Sequence, residues 1–176
     1  SQPNIVFILS DHQGWNSSSV QMDRDVPFSK SDFYQTPNLE SLAERGMRFS
    51  WAYSAAPLCQ PKRASIQTGM SPAQLQYTDN FEGGQIDDRR FLSNYNGYPL
   101  TPPMPTGLTG DLLTIPRWLN QHHPEYVSAH MGKWHMSNSA ATSPTSMGYD
   151  YADDAFHGGD ADPWGIVTLT NKAPNF

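Results

Sequence analysis

A short apolar run near the start of the chain constrains the fold more than any other feature. Residues Asn4–Leu9 form an almost unbroken hydrophobic stretch that is rich in β-branched side chains. Such a stretch is typical of a strand buried on both faces, as in a parallel sheet covered by helices. The polar residues Asp11 and His12 follow it directly. Because open α/β sheets bind ligands beyond the carboxyl ends of their strands, these two residues mark a candidate site.

The residues that follow predict that this strand begins a βαβ unit. Thr36 and Pro37 are the residue types that favour a helix N-cap and the first helical position, and Gly46 is typical of a helix end. Alternating apolar residues over 47–53 then predict a strand with one buried face. We therefore predict an α/β fold with a mostly parallel central sheet flanked by helices. The helix is expected to face the core with Leu39, Leu42 and Ala43.

Three further elements are predicted downstream. A short helix should begin at Pro61 and end before Gly69, a second helix should cover residues 111–121, and a strand should cover residues 126–131. Between them, residues 77–110 are dense in Gly, Pro, Asn and Asp, which is typical of a functional or disordered excursion. Its exposed aromatics, Tyr95 and Tyr98 among them, would suit a substrate wall. In the second helix, the residues expected to face the core are Leu112, Ile115, Trp118 and Leu119.

Composition limits the class of partner. The formal net charge of −6 argues against a nucleic-acid or anionic-membrane surface. No apolar run approaches the roughly 20 residues that a membrane span needs, and no signal peptide is visible. The single cysteine excludes an intrachain disulfide. At 176 residues we expect one globular core, with no separate second domain.

The single cysteine stands in a Cys-x-Pro-x-Arg pattern formed by Cys59, Pro61 and Arg63. A residue just before a proline-initiated helix lies near the helix N-terminus, where free N–H groups favour an anion. The same position would suit a bare thiolate nucleophile. On its position alone, however, a lone cysteine is as well explained as a small buried hydrophobic residue.

A second polar group follows the predicted strand over 126–131, in the sequence Gly-Lys-Trp-His. Lys133 and His135 are two residues apart, so on an extended segment both side chains would face one pocket. Lysine supplies a compact positive charge, and histidine moves protons near neutral pH. The alternative is a surface lysine and a half-buried histidine on either side of a core Trp134.

Together these motifs resemble the type I, formylglycine-dependent sulfatase family of the alkaline phosphatase-like superfamily. The resemblance extends from Pro3 to Asp150, with the motifs in the family's order and at roughly its spacing. In that family a maturation enzyme oxidises the motif cysteine to formylglycine, which acts as a covalent nucleophile. The resemblance implies a sulfuric ester hydrolase acting on a sulfated small molecule or a sulfated glycan. Such enzymes are usually periplasmic, secreted or lysosomal.

The resemblance also implies residue roles. Cys59 would become the nucleophile, Arg63 would hold its hydrated form, and Lys133 and His135 would contact the sulfate group and take part in catalysis. His157 follows a segment that resembles a later family motif, and it is either a substrate contact or a loop residue. Lys62 replaces the small residue usual at its position, which bears on the efficiency of maturation.

The implied metal is Ca²⁺, with Mg²⁺ as an alternative, held by Asp11 and by the hydrated formylglycine from Cys59. His12 stands where the family has a second acidic residue. Because imidazole suits softer metals, His12 is a substituted ligand, a donor to substrate or a loop residue. The family's remaining ligands, an Asp-Asn or Asp-His pair, do not occur after His157. We therefore expect the N-terminal portion of a catalytic domain, which by itself binds metal weakly and has little activity.

Two alternatives remain from the sequence. One is a phosphonate or phosphodiester hydrolase, because the same superfamily and nucleophile serve phosphoryl centres. The other is a binding or vestigial domain that retains an anion pocket for sulfated glycans without turnover. The unusual His12 and Lys62 favour the second alternative.

Overall fold

The computed structural model describes residues 2–77, 80, 108–136 and 142–153. The chain divides into two compact units, Ser1–Tyr53 and Ser54–Phe176. His157 and the aromatic residues Tyr95 and Tyr98 lie outside the described residues. No helix among the described residues combines the length and hydrophobicity that a membrane crossing requires. The elements are α1 (Pro37–Arg45), α2 (Cys59–Thr68), α3 (Pro72–Leu75), α4 (Ile115–His122), β1 (Ala129–His130) and β2 (Tyr151–Ala152).

Helix α1 of the first unit begins and ends where the sequence predicts. Pro37 opens the helix and Gly46 follows its last residue. The Thr36 side chain, however, does not cap the helix. Its Oγ1 accepts a hydrogen bond from the Ser19 N–H at 2.9 Å, while Ser19 Oγ accepts one from the Thr36 N–H at 3.0 Å. Thr36 therefore joins the start of α1 to the preceding loop.

The two strands predicted for the first unit are wrong for the described residues. Neither Asn4–Leu9 nor the segment 47–53 is a strand. Their apolar side chains are exposed, with Val6 at 83% and Trp51 at 79%. A strand needs a neighbour for its N–H and C=O groups and a layer to cover its side chains, and residues 2–53 provide neither. The apolar pattern identifies surfaces suited to burial, but it does not supply the partner.

Helix α1 departs from prediction for the same reason. It contains no buried residue. Leu39 and Leu42, predicted to face a core, are 40% and 59% exposed. The expected βαβ unit is therefore not formed within residues 2–53.

The second unit contains the predicted parallel pairing in a shorter form. Strands β1 and β2 pair in parallel, with Ala129 opposite Tyr151 and His130 opposite Ala152. The strand predicted over 126–131 is thus two residues long. Strand β2 was not predicted, because its two residues lie in an acidic stretch without strand-like alternation.

Helix α2 begins two residues earlier than predicted, at Cys59 rather than Pro61. Pro61 still lies in the first turn, where a missing backbone N–H leaves no intrahelical bond unmade. The helix ends as predicted at Gly69, which has a left-handed backbone with φ of 69° and donates its N–H to Ser65 O. Helix α3 was missed, although Ser71 and Gln74 form a complete capping box at its start.

Helix α4 begins at Ile115, four residues later than predicted. The preceding residues form a turn in which the Leu112 N–H bonds to Thr109 O at 3.3 Å. Leu112 packs against the core as predicted. Ile115 and Trp118, also predicted to face the core, are instead 46% and 43% exposed. The buried positions here are instead Thr114 and Pro116.

The core of the second unit surrounds Trp134. Its indole is fully buried, and the indole N–H donates to Thr142 O at 2.9 Å. The edges of His130 and Tyr149 pack against it, with ring centroids 5.0 and 6.2 Å away. The core thus holds the middle of the Gly-Lys-Trp-His segment in place. The buried apolar members of the cluster are Ala64, Tyr77, Leu108, Trp134, Met136 and Met147.

Alanine substitutions of Trp134 and Trp118 should show that the loss of stability depends on how deeply the side chain is buried. Trp134→Ala should lower the free energy of unfolding by about 3–5 kcal/mol, because it leaves a large cavity and removes the indole hydrogen bond to Thr142 O. Trp118→Ala removes the same side chain from a site that is 43% exposed, and it should cost about 1 kcal/mol. Chemical denaturation of both variants measures the difference. Equal losses would contradict the central place of Trp134.

Candidate functional site

Cys59 is the first residue of α2 and is 9% exposed. Residue 58 before it is extended, so the chain turns into the helix at the cysteine itself. The N–H groups of the first helical turn have no intrahelical acceptors, and the helix dipole places partial positive charge there. A negatively charged group on the side chain of residue 59 is therefore favoured by the local backbone.

One cationic residue contacts Cys59, and a second holds the backbone of the first. The ammonium group of Lys133 lies 3.6 Å from Cys59 Sγ. Arg63, one turn along α2 and only 8% exposed, donates a hydrogen bond from Nη1 to the Lys133 carbonyl. The structure thus brings together three of the residues that the sequence singles out, Cys59, Arg63 and Lys133.

The Gly-Lys-Trp-His segment is not the regular extended strand that the sequence analysis assumed. Gly132 has φ of +82° and His135 has φ of +52°. Both backbones are left-handed, so simple alternation does not set the directions of Lys133 and His135. For a residue other than glycine this conformation costs about 1–3 kcal/mol, and such strain is concentrated at functional sites. His135 is also buried, at 9% exposure.

Contacts from several segments hold this loop, residues 132–136. The Gly132 N–H donates to Asp153 Oδ2 at 2.9 Å. At the other end, Met136 O accepts a hydrogen bond from the Tyr77 hydroxyl at 3.2 Å. The loop is therefore fixed before and after the two candidate catalytic residues. The intervening contacts are those of Arg63 with Lys133 O and of Thr142 O with the Trp134 indole.

The Tyr77 hydroxyl links this loop to α2. It lies 3.2 Å from Gln60 Oε1 as well as from Met136 O. Burial raises the pKa of Tyr77 well above its usual range, so the hydroxyl remains a neutral donor. Sequence reasoning missed both Tyr77 and Gln60, because they contact each other and the loop across 17 and 59 residues of chain.

His130 lies in β1, within the segment predicted to be a strand. Its ring contacts the edges of Trp134 and Tyr149, at centroid distances of 5.0 and 5.4 Å. Burial lowers the pKa of His130; the charge of Asp153 opposes this shift, and the charge of Arg63 adds to it. The imidazole is therefore held in its neutral form.

Asp11 and His12 lie in the first unit, and both are exposed. His12 has a left-handed backbone with φ of 54°. As a donor set they supply one hard carboxylate and one softer imidazole. The carboxylate suits Ca²⁺ or Mg²⁺, whereas the imidazole does not.

Comparison with known proteins gives the wider context. A family model described as Sulfatase matches residues 3–164. The chain belongs to the sulfatase family. Arylsulfatase G of Mus musculus is 31% identical over 150 residues, which are 85% of this chain and 23% of that protein. N-acetylgalactosamine-6-sulfatase of Homo sapiens is 31% identical over 150 residues, which are 84% of this chain and 24% of that protein.

Solved structures give the same picture for this sulfatase chain. The crystal structure of Ps i-CgsB matches with a TM-score of 0.54 and 29% identity, covering 79% of this chain and 27% of that one. The predicted family and the alkaline phosphatase-like α/β fold class are confirmed. The chain spans about a quarter of the length of the relatives that it matches.

The buried neutral His130 predicts a pH dependence of stability. Its folded pKa lies below the ordinary value of 6.5, so the unfolded chain binds a proton that the folded chain does not. The free energy of unfolding should therefore fall as the pH drops through and below about 6.5. His130→Gln should reduce this loss, whereas His122→Gln, at an exposed site, should leave it unchanged. Denaturation at a series of pH values tests this, and identical pH slopes for wild type and His130→Gln would contradict it.

Proposed function

We propose that this chain forms the nucleophile-bearing part of a sulfatase that hydrolyses a sulfate ester at residue 59. The observation that carries the proposal is the 3.6 Å contact between Lys133 Nζ and Cys59 Sγ. It occurs at a helix N-terminus, beside a buried arginine, in a chain of the sulfatase family. That combination concentrates positive charge where an anionic substrate would meet the nucleophile.

Formylglycine made from Cys59 by a maturation enzyme would supply, when hydrated, a hydroxyl that attacks sulfur and a second hydroxyl that later releases sulfate. The thiol sulfur in the present structure marks where that carbon-bound oxygen would lie. The distances described around residue 59 are those of the unconverted cysteine. The proposed roles of the surrounding side chains are inferred from their positions around it.

Lys133 provides the cation closest to this position. Its ammonium group would bind a non-bridging oxygen of the ester sulfate and offset charge that grows in the transition state. The buried Arg63 holds the Lys133 backbone through the carbonyl. An anionic group is thereby favoured locally in a chain whose net charge is −6.

His135 is the proposed proton carrier. Its imidazole is nearly buried and its strained backbone is fixed by neighbours on both sides, Trp134 and Met136. Its imidazole would take a proton from the attacking hydroxyl, and the imidazolium so formed would give a proton to the leaving oxygen. His157, outside the described residues, is proposed as a further substrate contact.

Asp11 is the proposed carboxylate ligand for Ca²⁺ or Mg²⁺, a cation that would neutralise sulfate oxygens. The imidazole of His12, the next residue, does not match the ligand preference of Ca²⁺. We therefore favour a role for His12 as a donor to substrate or as a loop residue over a role as a metal ligand. Ca²⁺ takes about six to eight oxygen ligands, so this site requires ligands besides Asp11.

The proposed substrate is a sulfated small molecule or a sulfated glycan. The support for a glycan is a related structure, Ps i-CgsB in complex with k-i-k-neocarrahexaose, which is 28% identical to this chain. A periplasmic, secreted or lysosomal location is proposed with it, by analogy with the family.

Kinetics on the complete polypeptide test the proposal. The wild type should hydrolyse an aryl sulfate faster than the matching aryl phosphate, and Cys59→Ala should abolish turnover. Lys133→Ala should lower kcat/KM by about 10²–10³-fold, because a preorganised charge at the transferring group is lost. Lys30→Ala removes a lysine from a solvent-exposed pair with Asp32 and should have little effect. Faster phosphate turnover would favour the phosphoester alternative, and binding of sulfated sugars without product would favour a non-catalytic domain.

A further inference from the structure

The turn that leads into Lys133 is held by a carboxylate from another strand. The Gly132 N–H donates to Asp153 Oδ2 at 2.9 Å. Asp153 immediately follows β2, and its own N–H donates to His130 O at 3.2 Å. One residue thus extends the parallel pairing with its backbone and ties down the turn after β1 with its side chain.

The hydrogen bond between Gly132 and Asp153 restricts the backbone of Lys133. The amide of Gly132 is held by Asp153, and the carbonyl of Lys133 is held by Arg63. The Lys133 Cα lies between these two anchors, so its side chain leaves the backbone in a defined direction. A hydrogen bond to a carboxylate is roughly twice as strong as one between neutral groups, which suits a turn that must keep a left-handed glycine.

The other carboxylate oxygen of Asp153 points to a role beyond stability. Oδ1 is buried and has no hydrogen-bond partner among the described residues. Burying an unsatisfied carboxylate oxygen destabilises a fold, and retained exceptions of this kind call for an explanation at a site. The explanation that we infer is the bond of Asp153 to Gly132, the residue before Lys133.

We propose that Asp153 is a positioning residue for Lys133: its carboxylate fixes the Gly132 turn and thereby places the Lys133 ammonium against the nucleophile at residue 59. The proposal rests on the proposed function, because it assigns Asp153 a part in turnover of the same ester. Asp153 itself need not touch the substrate.

Asp150 provides a matched control at the other end of the same strand pair. Its Oδ2 accepts hydrogen bonds from the Ser128 N–H at 2.7 Å and from Ser128 Oγ at 3.0 Å. Asp150 thus holds the entry to β1 as Asp153 holds its exit. Loss of either carboxylate removes a bond at the strand pair, but only Asp153 is bonded to the residue that precedes Lys133.

The test compares Asp153→Ala, Asp153→Asn and Asp150→Ala in the complete polypeptide, with an aryl sulfate as substrate. Asp153→Ala should lower kcat by about 10- to 100-fold, as expected for a displaced catalytic group, with a much smaller change in KM. Asp153→Asn retains an acceptor for the Gly132 N–H and should restore most of kcat. Asp150→Ala should keep kcat within about twofold of wild type, on the same reasoning from position.

Hydrogen exchange of the Gly132 amide, measured by NMR, provides a readout that does not depend on activity. The amide should be protected in wild type and in Asp153→Asn, and it should exchange faster in Asp153→Ala. An unprotected Gly132 amide in wild type would overturn the proposal even if the alanine variant failed to fold.

The kinetic outcomes separate this proposal from the proposed function. Equal losses of kcat in Asp153→Ala and Asp150→Ala would show a merely structural effect and overturn the role of Asp153. Wild-type turnover that Asp153→Ala leaves unchanged would overturn that role alone. Failure of the wild type to turn over both aryl sulfate and aryl phosphate would overturn the proposed function, and the role of Asp153 with it.

Discussion

Burial of the Trp134 side chain is the interaction on which the rest of the site depends. The indole fills the core of the second unit, and its N–H is bonded to Thr142 O. Lys133 and His135 are its direct neighbours in sequence, so anchoring the indole restricts where both can go. The strained backbone of His135 is tolerated because large buried side chains flank it on both sides. Burial of this one indole therefore determines both the core packing and the geometry of the candidate site.

Around Trp134, a few cationic side chains create a local positive charge in a chain that is acidic overall. The chain is acidic overall, at −6, yet the start of α2 faces the Lys133 ammonium and carries buried Arg63 one turn later. Burial lowers the pKa of His130 and raises that of Tyr77, which favours the neutral form of both groups. An anion at residue 59 would therefore meet the Lys133 ammonium, whose backbone carbonyl is held by Arg63.

Sequence predicted the elements whose signals are local and missed those that depend on distant partners. Pro37 and Gly69 mark helix ends through their own backbone preferences, and the helices begin or stop there. The apolar runs at Asn4–Leu9 and 47–53 show a preference for burial, which only a covering surface could satisfy. The motif residues Cys59, Arg63 and Lys133 were identified by spacing, and the structure brings them together. Asp153 and Tyr77 gave no signal, because their contacts cross 21 and 59 residues of chain.

We propose that residue 59 acts as a converted cysteine, and its chemical state can be observed directly. The measurement is peptide-mapped mass spectrometry of the protein from its natural source, directed at the peptide that contains residues 59–63. We expect an aldehyde, or its hydrate, in place of the thiol at position 59. An unmodified thiol at that position in all of the native material would contradict it.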